Sequence, residues 1–60
     1  MSDTDIEVAA DIRVLLNTAI MALRAALEVT PQRNPFREVD HRIGEALEAA
    51  IAARAICQKL

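Results

Sequence analysis

Apolar and polar positions recur along this chain with a helical period rather than the two-residue period of a strand. Over residues 5–29, Val8, Ile12, Leu15, Leu16, Ala19, Ile20, Ala22, Leu23, Ala26 and Leu27 share one broad face at about 100° per residue. The polar residues there form two groups, Arg13, Asn17, Arg24 and Glu28, then Glu7, Asp11 and Thr18. Over residues 35–58 the main apolar face is Phe36, Val39, Ile43, Ala46, Leu47, Ala50, Ala53 and Cys57. Ala49, Ile56 and Leu60 make a second, smaller strip, and Arg37, His41, Glu45, Glu48 and Lys59 line the opposite side. Between the two patterns lies Thr30-Pro31-Gln32-Arg33-Asn34-Pro35, where two prolines bar a continuous helix.

The pattern predicts a helix over about 5–29, a turn over 30–34 and a helix over about 35–58, forming one domain. Thr4-Asp5-Ile6-Glu7 fits a capping box, and Asn34 is placed to cap a second helix with Pro35 at its first position. Gly44 interrupts the second helix, and close helix approach is the expected reason. A short connection makes the helices antiparallel neighbours, so the predicted fold is all-α, an antiparallel two-helix hairpin. The apolar arc of the first helix spans about 160°, wider than one packed neighbour covers. Several Leu and Ile side chains would stay wet at about 25 cal/mol per Å² of apolar surface. Pairing of two hairpins into a homodimeric four-helix bundle removes that cost.

Composition narrows the class. Apolar residues make up 53% of the chain, too many for a disordered segment. Sixty residues leave no room for a separate catalytic domain. Nine acidic against seven basic residues disfavour direct nucleic-acid binding, and no apolar run approaches a bilayer span. The acidic start Met1-Ser2-Asp3-Thr4-Asp5 is unlike a signal or transit peptide, so a cytoplasmic location is expected, where a lone cysteine stays reduced.

The residues able to carry chemistry are few. Arg54 projects into the apolar arc of the second helix, level with Asp11 across the hairpin, and an Asp11–Arg54 ion pair is expected. His41 and Cys57 lack metal-ligand spacing, and Glu45 with Glu48 would need a desolvated cleft for acid–base work. No Gly-rich phosphate loop is present. The expectation is therefore no enzyme, no cofactor and no metal. Val14 and Met21, lying between the polar groups of the first helix, are the candidate partner anchors together with Arg24 and Arg37. The alternative is an anion site at the turn end made by Arg33, Arg37 and Arg42, with Phe36 as the one ring able to stack on a base.

A compact, alanine-rich hairpin of this length resembles the small helical accessory proteins encoded by bacterial viruses. One kind, the anti-activator type, is a helical dimer that binds and blocks a host regulator. The other is the hairpin family of sponges that sequester cyclic-nucleotide signals. It is resembled through Arg37-Glu38 after the turn and the following Ile43-Gly44-Glu45-Ala46-Leu47-Glu48-Ala49. The first resemblance implies a self-associating inhibitor or adaptor of a host or cognate protein. The second implies an oligomer holding an anionic nucleotide.

Overall fold

A computed structural model covers residues 1–60 and contains two α-helices, α1 (Asp3–Val29) and α2 (Arg37–Gln58), and no strand. α1 begins two residues earlier than the sequence predicts. Its cap is Ser2, whose Oγ accepts from the Asp5 amide at 3.2 Å, so the expected Thr4–Glu7 box does not set the start. Asp3 and Asp5 sit in the first turn, where their charges suit the helix dipole. The helix ends at Val29 because Thr30 precedes Pro31 and adopts an extended conformation, φ −84° and ψ 119°. Thr30 closes the last turn by donating to the Ala26 carbonyl from its amide at 3.0 Å and its hydroxyl at 2.6 Å.

The connection runs two residues longer than predicted, over 30–36. The Phe36 amide donates to the Arg33 carbonyl at 2.7 Å, drawing Asn34 and Pro35 into a turn rather than into α2. The N-cap of α2 is therefore Phe36, which supplies no side-chain cap, and the predicted Asn34 cap is not formed.

The helices meet along a narrow seam. Buried and half-buried residues of α1 include Ala9, Arg13, Leu16, Ile20, Leu23 and Leu27, spaced alternately four and three apart. In α2, Asp40, Ile43, Leu47, Ala50, Arg54 and Cys57 follow the same rule, with Gly44 and Ile51 half-buried beside them. This is the seam of a coiled coil, in which each helix gives about two positions per heptad to its neighbour. Ile20 is 1% exposed at its middle, and at the open end the Cys57 thiol donates to the Ala9 carbonyl at 3.2 Å. The broad predicted face of α1 therefore does not all pack inward, and Val8, Ile12, Leu15, Ala19 and Ala22 remain exposed.

Only three of 60 residues, Ala9, Ile20 and Cys57, are buried. The radius of gyration is 14.4 Å against about 10 Å for a compact chain of this length. The surface is 4641 Å² against about 3,900 Å² for a compact monomer of this mass. The hairpin is a rod of 49 × 14 × 11 Å with surplus apolar surface.

Gly44 corrects an expectation. A Cβ built there meets nothing within 4 Å, so helix approach does not require glycine. Gly44→Ala should then stabilise the hairpin by about 0.5–1 kcal/mol, because alanine loses less backbone entropy in a helix. Thermal unfolding followed by circular dichroism should show a midpoint raised by several degrees. A lowered midpoint would mean that something packs against that backbone in solution.

Candidate functional site

The two long sides of the rod differ in chemistry. On α1, Val8, Ile12, Leu15, Ala19 and Ala22 recur at helical spacing, roughly 100° around from the seam. On α2, Val39, Ala46 and Ala53 recur every seven residues, with Ile56 beside them, roughly 100° from that helix's seam, and Leu60, two residues past the helix end, continues the spacing. Because the helices run antiparallel, these rotations turn both stripes to the same side of the hairpin. The result is one continuous apolar face on which Leu15 is 69% exposed and Ile56 65%. Near the turn it dips into a depression of about 490 Å³ lined by Leu23, Pro35, Val39, Arg42 and Ala46 among others.

The other side is mixed. Val14 and Met21, 63% and 70% exposed, lie there on α1 beside Arg24, and Arg37, His41 and Glu48 lie there on α2. A second depression, of about 410 Å³, is lined mainly by polar residues, Gln32, Asp40, His41, Glu45 and Glu48. His41 Nε2 lies 2.6 Å from Glu45 Oε1, and Arg42 Nη1 lies 3.6 Å from Glu45 Oε2. Both pairs are solvated and contribute little to stability. The predicted partner anchors Val14, Met21, Arg24 and Arg37 thus share one face, which projection of α1 alone does not reveal.

The predicted Asp11–Arg54 pair is not formed. The two positions are near one level, but Asp11 points away from α2, roughly 160° around α1 from the seam. Arg54 instead crosses the seam and donates from Nη1 to Asn17 Oδ1 at 3.0 Å. Its guanidinium serves as a polar link between the helices, and Asn17, adjacent to the seam, supplies the acceptor.

Arg33, Arg37 and Arg42 do not converge within one chain. Arg33 Nη1 donates to the Asn34 carbonyl at 3.4 Å, and its guanidinium carbon stands 5.9 Å from the Phe36 ring centre, a cation–π arrangement. Arg37 and Arg42 lie roughly 140° apart around α2, on opposite sides of the rod. Of the three, only Arg42 lines a depression. Phe36, the one ring available to stack on a base, already faces Arg33.

The apolar face is the feature that sequence projection blurred. Its signal was present in the seven-residue spacing of Val39, Ala46, Ala53 and Leu60, but the first three fall in one arc with seam residues and Leu60 falls in the smaller strip. Neither helix is long and apolar enough to cross a membrane. No family model, no curated protein and no solved structure matches the chain.

Proposed function

We propose that the chain is a self-associating helical module that binds another protein and so blocks or adapts it. Two hairpins pair through their apolar faces into a four-helix bundle, and the mixed faces stay outward for the partner. The observation that carries this reading is the apolar face itself, with Val8, Ile12, Leu15, Val39, Ile56 and Leu60 all exposed in the single chain. Full burial of each such side chain is worth about 1.5–3 kcal/mol, and a contiguous patch of this kind marks an association surface. A face of 49 × 14 Å offers roughly 700 Å² per protomer, close to the ~800 Å² of a stable interface. Outward, Val14 and Met21 beside Arg24 and Arg37 combine apolar anchors with the guanidinium groups enriched at binding hot spots.

Light scattering coupled to gel filtration tests the pairing, and the expected mass is twice the 6.6 kDa of one chain. A Met21→Asp variant tests the partner face. It should keep the dimer mass and lose capture of the protein that the wild-type chain retains from a cell extract. A monomeric wild type, or unchanged capture by the variant, would overturn the corresponding half of the reading.

A further inference from the structure

Bulk is distributed unevenly along the apolar face. Counting levels from the Cys57–Ala9 contact, the half next to the helix ends carries Val8, Ile12, Leu15, Ile56 and Leu60. The half next to the turn is floored by Ala19, Ala22, Ala26 and Ala46 and holds the 490 Å³ depression beside Leu23 and Val39. One half is a set of knobs and the other a hollow.

Charge follows the same division. The open end holds Asp3, Asp5, Glu7, Asp11 and Glu48 against Arg13, Arg54 and Lys59, a surplus of acid. The turn end holds Arg24, Arg33, Arg37 and Arg42 against Glu28, Glu38, Asp40 and Glu45, and so carries no net charge.

From this pairing of shape with charge we infer that the occupant of the apolar face is a second copy laid in the reverse direction, turn against open ends. This rests on the self-association read above and adds its direction. The two-fold axis crosses the rod near Ala19 and Ala46, lying in the interface and perpendicular to the long axis. α1 then packs on the partner's α1, and α2 on the partner's α2. Leu15 stands over the alanines at 22 and 26 of the other copy. Ile56 enters the other copy's depression beside the valine at 39. The two acidic open ends are held apart, each against a turn end of no net charge. In the forward arrangement knobs would oppose knobs, alanines would face alanines across a void, and the acid surplus of both open ends would be brought together. Close packing and charge both disfavour that state.

Spin labels on Leu60→Cys measure the direction in the full chain, since Cys57 is buried and escapes labelling. At about 1.5 Å per residue from the axis, the two labels of a reversed dimer stand about 40 Å apart. A forward dimer brings them within about 20 Å, given helix spacings of 8–10 Å. As a second measurement, Ile56→Cys protein mixed with Val39→Cys protein should form the mixed disulfide on oxidation, while neither variant alone links to itself. Ala22→Leu should weaken pairing at least about tenfold by overfilling the contact with Leu15. A dimer with labels within 20 Å, or with Ile56→Cys linked to itself, overturns the reversed direction. A wild-type monomer overturns self-association itself.

Discussion

Leu15→Asp should weaken self-association by roughly two to four orders of magnitude and leave the hairpin seam intact. Leu15 is 69% exposed in the single chain, so the substitution takes little from the packing of α1 on α2. In a two-fold dimer the residue acts twice. Losing about 1.5–3 kcal/mol of burial at each copy gives about 3–6 kcal/mol, and each 1.4 kcal/mol is a factor of ten. Two carboxylates left in an apolar interface add a desolvation penalty in the same direction. The concentration dependence of mass by light scattering measures the effect. Met21→Asp, on the other side of the rod, is the control that keeps the dimer. An unchanged mass for Leu15→Asp would place the pairing surface elsewhere.

Ile20→Ala is expected to produce the largest loss in the hairpin itself, about 2–5 kcal/mol. Ile20 is the one large side chain fully buried, at 1% exposure in the middle of the seam. Single domains carry about 0.05–0.15 kcal/mol of stability per residue, which for a chain this short is about 3–9 kcal/mol in all. The substitution therefore removes much or all of it, and urea unfolding followed by circular dichroism should show a largely melted population at ambient temperature. Ile56→Ala is the informative contrast, because Ile56 is 65% exposed and contributes to the seam only weakly. It should lower stability mainly at concentrations where chains pair. A loss below about 1 kcal/mol at Ile20 would be far short of what burying an isoleucine supports.

The elements of the fold were legible because their causes are local. Helix formers with a 3.6-residue apolar period, broken by Pro31 and Pro35, predict two helices and a turn whatever surrounds them. The end of α1 at Val29 follows from the residue before Pro31 alone and agrees with its predicted place. The second boundary slipped because Asn34 and Pro35 had two local uses, a helix start or a turn. Closure of the Arg33–Phe36 turn, which must join two packed helices, selects the turn.

The seam was less legible. Alanine and leucine surround α1 over much of its circumference, and projection alone does not say which stripe α2 covers. Arg13 and Asp40 look like surface residues, yet they join Arg54, which projection already places in the apolar arc, at seam positions with partial burial. Long side chains can occupy such positions by carrying their charged ends to the rim, as Arg54 does in reaching Asn17. Asp11 shows the complementary error, being near the right level but turned away from the partner helix.

By itself, the sequence determined that this chain is two amphipathic helices joined by a proline-marked turn, with more apolar surface than one hairpin can bury. Those properties follow from period, propensity and the sum of apolar side chains, none of which depends on how the helices are rotated. The tertiary structure decided which stripe became the seam, and so which residues were left outside it. That choice is a rotation of each helix about its own axis, set by interlocking Ala9, Ile20 and Cys57 with their opposite numbers. Once it is made, Val8, Ile12 and Leu15 join Val39, Ile56 and Leu60 on one side, and Val14 and Met21 are left on the other. Antiparallel packing turns two separate stripes into one face, because equal rotations on opposed helices point the same way.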